Sequence, residues 1–236
     1  MLRVYATTST LPLINQLTTT YGQTNASVTF EIIGGNFESS YERLQADPHS
    51  YLFTNHLPSD PLWAAPIGQD GIAVIVHPDN PIQGLTTEQI RDLYRGRISN
   101  WQMLGGQPRP VAVFTREDGS GTRAEFERLV IGQNETTRSA QIAPSSAAMV
   151  DAVSRTPGAI GFVSASYVDT RVRALAVNGV SLSLTHVYDN TYPLRSFIYI
   201  AGYREPESYY RSFIYWVQSP AGQAVVGRLV APLLRP

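Results

Sequence analysis

Short apolar strands alternate with amphipathic helices along the chain, and this alternation constrains the fold more than any other feature of its 236 residues. The segment Gly71–Val76 (GIAVIV) is apolar without a break, as in a strand that is buried on both faces. Leu11, Ile14 and Leu17 follow the strand-like segment Leu2–Ala6 at helical spacing. The pattern predicts an α/β fold with a mainly parallel sheet.

The series of strands and helices occurs twice, with a turn-rich link at residues 77–81 between the two series. We therefore expect two α/β lobes joined by two crossing strands. The first lobe is expected to comprise residues 1–75 and 192–236, and the second lobe residues 76–191.

Composition excludes several classes of function. The net charge is −1, whereas a nucleic-acid-binding protein usually carries a basic excess, so no nucleic-acid partner is expected. All eighteen basic residues are Arg, which rules out lysine Schiff bases and a phosphate-loop lysine. The chain has no Cys, and its four His are scattered without metal-ligand spacing. We therefore expect neither a metal nor a cofactor.

The most informative motif is Thr115–Arg123 (TREDGSGTR), which follows a predicted strand and opens a predicted helix. Gly119 and Gly121 permit a tight turn there, while Ser120 and Thr122 add hydroxyl donors. Peptide N–H groups at such a helix start point outward and favour an anion. The alternative is an ordinary helix cap that binds no ligand.

Arg116 in the same motif favours the anion site. Its planar guanidinium is always charged and matches the geometry of a tetrahedral oxyanion. Asp118 lies two residues further on, so we expect its carboxylate to hold the guanidinium in place.

Further polar groups follow the first three predicted strands, in the segments 7–10, 34–36 and 54–55. In an open α/β sheet, ligands bind at the carboxyl ends of the strands. We therefore expect these neutral donors to line one side of a cleft, with the Arg116 motif on the other side.

The order of the motifs resembles the periplasmic phosphate-binding proteins of ABC importers. The matching segments are DGIAVIVHPDNP (70–81), LTTEQIRDLYRGRISNW (85–101), VFTREDGSGTRAEFE (113–127), TPGAIGFVSASYV (156–168), YPLRSFIYIAG (192–202) and FIYWVQSPAGQAVV (213–226). The resemblance implies a type II periplasmic-binding-protein (Venus-flytrap) fold that holds an oxyanion between its two lobes.

The resemblance also implies a set of ligand-binding residues. STLP (9–12) matches a turn of the family, and ATTST (6–10) resembles the corresponding turn of tungstate-binding proteins. With Asp118 orienting Arg116, the expected ligand-binding residues are Thr8, Ser9, Thr10, Leu11, Asn36, Thr54, Asn55, Arg116, Ser120, Gly121 and Thr122.

Two positions depart from the family pattern. Asn36, Ser39 and Ser40 are the candidates where the family has a serine after its second strand. Asn55 or His56 stands nearest the place of an aspartate that accepts the proton of monohydrogen phosphate in the family. Without that carboxylate, we expect weaker discrimination between phosphate and other oxyanions.

We therefore expect an extracytoplasmic solute-binding protein, not an enzyme, that captures an inorganic oxyanion for the membrane permease of an ABC importer. Phosphate is the first choice of ligand, and tungstate, molybdate and sulfate are alternatives. The protein is expected to be a monomer at the periplasmic or extracellular face of the membrane, with a signal peptide or lipid anchor absent from this chain.

Two other functions are weighed against this one. An anion-sensing module without an importer would bind the same ligand. A phosphoester hydrolase would need Glu117, Asp118 and His56 as acid–base groups, and it is the least favoured because no nucleophile–base pair is evident.

Overall fold

The computed structural model of the protein describes residues 1–234 and divides the chain into two compact units. The first unit comprises Met1–Asp70, Gly119–Gly121 and the chain from Ser196 onward; the second comprises Gly71–Asp118 and Thr122–Arg195. Two boundaries fall at 70/71 and 195/196, where the sequence prediction has them at 75/76 and 191/192. Gly119–Gly121, which the prediction has in the second lobe, belong to the first unit. Residues 235 and 236 of the expected first lobe lie outside the described residues.

Strands and helices alternate along most of the chain. The strands are β1 (Leu2–Thr7), β2 (Phe30–Gly35), β3 (Tyr51–Thr54), β4 (Trp63–Val76), β5 (Gly84–Leu85), β6 (Ala112–Arg116), β7 (Gln141–Ala143), β8 (Ala159–Ser164), β9 (Arg173–Ala174), β10 (Ala176–Val177) and β11 (Arg195–Gly202). The helices are α1 (Leu11–Thr24), α2 (Phe37–Ala46), α3 (Thr87–Tyr94), α4 (Gly121–Phe126), α5 (Ser146–Arg155), α6 (Leu184–Tyr188), α7 (Ser208–Gln218) and α8 (Pro220–Val226). Shorter helical turns cover Trp101–Leu104, Glu127–Ile131 and Ala165–Tyr167. The predicted α/β class is confirmed.

The sheet of the first unit places three strand ends at one edge. Its strand order is β2-β1-β3-β11, and β1 is parallel to both β2 and β3. The register pairs Thr7 with Gly35 and Ala6 with Phe53. The residues that follow β1, β2 and β3 therefore start side by side at the carboxyl edge of the sheet, where α/β folds bind ligands.

Both faces of this sheet are covered by helices. Val4 and Ala6 of β1 belong to a core that also contains residues of α1, α7 and α8, with Ile14 among the fully buried ones. Tyr5 packs on the opposite face with Leu44 of α2. Full burial of one aliphatic side chain such as Ile14 contributes ~1.5–3 kcal/mol, so these contacts fix β1 and the residues that follow it.

The sheet of the second unit positions the end of β6. β6 is parallel to β7 and β8, and the register pairs Arg116 with Ala143 at the ends of β6 and β7. α5 begins three residues after Ala143 and packs against the sheet through Met149 and Val153. The start of α5 is therefore brought beside Arg116.

An aromatic core holds the end of α4, the helix that begins within the TREDGSGTR motif. The rings of Phe126 and Phe162 stack with their centroids 4.0 Å apart, and Tyr94 lies 4.7 Å from Phe126. The hydroxyl of Tyr94 donates to the carbonyl of Phe114 at 3.0 Å, which ties this core to β6.

β4 is longer than the sequence predicted, since GIAVIV covers only the last six of its 14 residues. Pro66, Gln69 and Asp70 interrupt the apolar pattern in the earlier part of β4, so no strand is predicted there. The boundary between the two units, Asp70/Gly71, falls inside this strand. Within residues 1–234, no helix has the length and apolar character needed to span a membrane.

Candidate functional site

A cluster of neutral polar side chains lies where β1 and β3 end in the first unit. Thr7 Oγ1 is 3.1 Å from Ser9 Oγ and 3.3 Å from Thr10 Oγ1. Ser9 Oγ donates to Asn55 Oδ1 at 3.3 Å, which links the two strand ends. These four residues are each at most 4% exposed. The register of the parallel strands thus brings Ser9 and Asn55 together, although 46 residues separate them in the chain.

Two of the predicted ligand hydroxyls are bonded to the backbone. Thr10 Oγ1 lies 3.0 Å from the carbonyl oxygens of both Thr7 and Phe53, which share its single hydroxyl proton. Thr54 Oγ1 donates to the carbonyl of His56 at 2.8 Å and accepts from the N–H of His56 at 3.1 Å. The structure therefore gives these hydroxyls a role in shaping the turns after β1 and β3.

The first turn of α1 presents backbone donors. Thr10 precedes the helix without making a side-chain cap, and Pro12 in the first turn has no N–H. The N–H of Leu11 lies at the helix start, where amides have no acceptor inside the helix. The helix dipole makes this a favourable position for an anion.

Asn36 and Thr8 have local roles in the structure. Asn36 Oδ1 accepts from the N–H of Ser39 at 2.8 Å and thereby caps α2. Thr8 is half-buried, and its N–H donates to the carbonyl of Gly35 at 2.8 Å. Both residues remain at the predicted edge of the sheet, and their predicted contact with an anion stays a prediction.

The loop Gly119–Gly121 is held within the first unit. Gly119 has φ = 75°, and its carbonyl accepts from the N–H of Glu38 at 3.1 Å. A Cβ atom on Gly119 would lie 2.7 Å from the Cβ of Glu38, so only glycine fits here. A Cβ atom on Gly121 would lie 3.2 Å from Asn55 Oδ1. Ser120, between the two glycines, is buried. The structure thus places Asn55 against this loop.

In the second unit, Arg116 is a buried cation with a carboxylate partner. It is 1% exposed. Its Nε and Nη2 donate to the two carboxylate oxygens of Glu117 at 2.8 and 2.9 Å. Its Nη1 donates to Ser146 Oγ, at the start of α5, at 3.3 Å. The guanidinium plane is therefore fixed from two sides.

The predicted pairing of Asp118 with Arg116 is wrong. The Asp118 side chain is 94% exposed, and its Oδ1 accepts from Arg123 Nη1. Arg123 Nη1 also donates to the carbonyl of Arg116 at 3.1 Å. The physical reason is side-chain length. The longer Glu117 side chain extends to the guanidinium group of Arg116, whereas the shorter Asp118 side chain stays in solvent near Arg123. Asp118 stabilises the motif through Arg123, and Glu117 orients Arg116.

Two neighbours of Arg116 were missed by sequence reasoning, namely Ser146 and Tyr167. Burial raises the pKa of the Tyr167 hydroxyl, and the charge of Arg116 opposes this shift, so the field of Arg116 reaches that ring. Pro144-Ser145-Ser146 was visible in the sequence only as the start of a helix. Thr122, the second residue of α4, is buried as well.

No group of three or more metal-ligating side chains is placed to hold a metal ion within residues 1–234. The polar groups assembled in each unit are instead hydroxyls, amides and one guanidinium. These groups donate hydrogen bonds to anions.

Comparison with known proteins places the chain in a family. The model of the PBP superfamily domain matches residues 1–221. The phosphate-binding protein PstS of Bacillus subtilis is 32% identical over 125 residues, which cover 52% of this chain and 41% of that protein. The PstS of Pseudomonas aeruginosa is 28% identical over 186 residues, which cover 69% of this chain and 57% of that protein. The chain thus spans about half the length of these curated relatives.

A solved structure matches along the full length of both chains. It is a putative phosphate ABC transporter substrate-binding protein from Clostridium perfringens with bound phosphate. Its sequence is 29% identical, the TM-score is 0.92, and the match covers 99% of each chain. This chain therefore belongs to the PBP superfamily and has the type II fold of the periplasmic phosphate-binding proteins that it resembles.

Proposed function

We propose that this protein is a solute-binding protein that captures inorganic phosphate. The observation that carries the proposal is Arg116, a guanidinium that is buried almost completely. A buried charge is costly unless it is paired and hydrogen-bonded, and Glu117 and Ser146 hold this one in a fixed plane. A preoriented guanidinium next to a Gly-Ser-Gly-Thr loop is the arrangement that recognises a tetrahedral oxyanion.

Neutral donors in the first unit support the same ligand class. Ser9, Asn55 and the N–H of Leu11 lie at the carboxyl edge of the sheet, and Asn55 lies against Gly121. We propose that these groups bind the anion together with Arg116, Ser120, Gly121 and Thr122. The similarity to the C. perfringens protein, whose structure contains phosphate, supports phosphate as the ligand.

The biological role is part of the proposal. The relatives named as phosphate-binding proteins, and the structural match named as an ABC transporter substrate-binding protein, support delivery to the permease of an ABC importer. We propose that the protein acts outside the cytoplasm as a monomer, and that it binds and releases its ligand without chemical change.

Isothermal titration of the full chain with inorganic phosphate tests the proposal, with sodium chloride at the same ionic strength as the control. We expect one phosphate per chain with a micromolar or tighter Kd and no saturable heat from chloride. A phosphate titration without saturable heat at millimolar phosphate would overturn the proposed function.

A further inference from the structure

Asn55 carries a buried donor that the fold leaves without a partner. Asn55 is 2% exposed, and its Nδ2 makes no hydrogen bond to any described residue. An unsatisfied buried donor is costly, so native proteins usually satisfy such groups. Its position against Gly121, inside the proposed site, indicates that a ligand supplies the missing acceptor.

The hydrogen bonds around Asn55 determine what the side chain offers to that ligand. Ser9 Oγ donates to Asn55 Oδ1 at 3.3 Å, and Gly121 lies close to the same oxygen. The amide oxygen is therefore engaged, and the amide presents N–H donors to its surroundings. The amide is uncharged. It therefore lacks the negative oxygen with which a carboxylate accepts a hydrogen bond from a hydroxyl group of the ligand.

The groups adjoining Asn55 are also neutral. Ser9 and Gly121 carry no charge, and Glu38, which contacts the same loop at Gly119, has an exposed side chain. Neither Ser9 nor Gly121, the two described residues that lie against Asn55 Oδ1, brings a carboxylate that would repel a fully ionised oxygen of the anion. The cluster in the first unit therefore gives no advantage to an anion that keeps one proton.

We propose that Asn55 sets the specificity of this protein, so that it binds fully ionised tetrahedral dianions such as sulfate as well as hydrogen phosphate. The proposal rests on the proposed function, because it concerns the same site. At about pH 8 sulfate and phosphate are both mainly dianions of similar size, and only phosphate carries a hydroxyl group. Comparing the two anions therefore isolates the effect of that proton.

The experiment is titration of the full chain with sodium sulfate and, separately, with sodium phosphate at about pH 8. We expect sulfate to bind within about a hundredfold of phosphate. Asn55→Asp should lower the sulfate-to-phosphate affinity ratio at least about tenfold, because a carboxylate repels sulfate and accepts the proton of hydrogen phosphate.

Asn80→Asp is the matched control. It makes the same chemical change at another buried asparagine, whose Oδ1 accepts from the N–H of Ile82 at 3.0 Å. This variant should keep the wild-type affinity ratio. If Asn55→Asp fails to fold, as judged by circular dichroism, the wild-type ratio alone decides the proposal.

The outcomes separate this inference from the proposed function. Tight phosphate binding with sulfate weaker by more than about a hundredfold would overturn the specificity proposal and leave phosphate capture intact. An unchanged ratio in folded Asn55→Asp would also overturn it. Absence of binding for both anions would overturn both proposals together.

Discussion

Arg116 and Glu117, neighbours in the chain, form a two-point ion pair in which Nε and Nη2 of the guanidinium each donate to one carboxylate oxygen. Both groups are removed from bulk water, the arginine almost completely. Breaking a buried pair by removing one partner is more costly than loss of an exposed pair, because a buried charge is left behind. The pair therefore holds the guanidinium of Arg116 in a fixed orientation, which is the orientation that we propose for anion binding.

The first prediction concerns Glu117→Gln. The amide offers one acceptor and no charge, so we expect the ligand-free protein to lose about 1–3 kcal/mol of unfolding free energy. Urea denaturation measures this loss. Phosphate should stabilise the variant more than it stabilises the wild type, because the anion supplies the negative charge that Arg116 has lost.

Asp118→Asn is the control for this variant, since the Asp118 side chain is exposed and pairs with Arg123. Its unfolding free energy should change by less than about 0.5–1 kcal/mol, as expected for an exposed ion pair. Equal losses in the two variants would contradict the assignment of Glu117 as the partner of Arg116.

The second prediction separates backbone strain from steric contact in the loop 119–121. Gly105 and Gly119 both have positive φ, 81° and 75°, but only Gly119 has Glu38 within contact of an added Cβ. Gly105→Ala should cost about 1–2 kcal/mol from its backbone conformation alone. Gly119→Ala should cost clearly more by urea denaturation, and it should weaken phosphate binding. Equal losses of unfolding free energy in the two variants would show that Glu38 moves away from the added methyl group without cost.

The third prediction concerns alkaline pH. Burial, with smaller contributions from nearby acidic groups and Tyr210, raises the pKa of Tyr51 to about 12, and its hydroxyl donates to the carbonyl of Arg204. A raised pKa means that the neutral form stabilises the fold below the unfolded-state pKa of about 10. That contribution is lost as the pH rises from about 10 to about 12.

Urea denaturation across this pH range checks the Tyr51 prediction. The unfolding free energy of the wild type should fall more steeply than that of Tyr51→Phe, which has no proton to lose at this position. Parallel curves for the two proteins would exclude Tyr51 as a source of the pH dependence.

The sequence predicted the strand ends well because short-range patterns specify them. The apolar segments at β1, β3 and β6 are followed directly by hydroxyl, amide or Gly-Ser residues, so the positions of Ser9, Asn55 and Arg116 followed from parallel strand order. The contact between Ser9 and Asn55 follows from the register of β1 and β3, which pairs Ala6 with Phe53.

Features that depend on tertiary contacts were less predictable. Glu117 and Asp118 are adjacent carboxylates, and the sequence alone does not show which of them pairs with Arg116. The association of Gly119 with the first unit depends on its bond with the Glu38 N–H, 81 residues earlier in the chain. The unit boundary lies inside the continuous strand β4, so no loop or turn marks it in the sequence.

Titration of Arg116→Ala with inorganic phosphate tests the central claim most directly. Arg171→Ala is the control, because Arg171 is an exposed arginine that pairs with Asp169 on the surface. We predict that Arg116→Ala loses about 3 kcal/mol or more of binding free energy, which is a hundredfold or greater rise in Kd, while Arg171→Ala keeps the wild-type Kd. Wild-type phosphate affinity in folded Arg116→Ala would contradict the account.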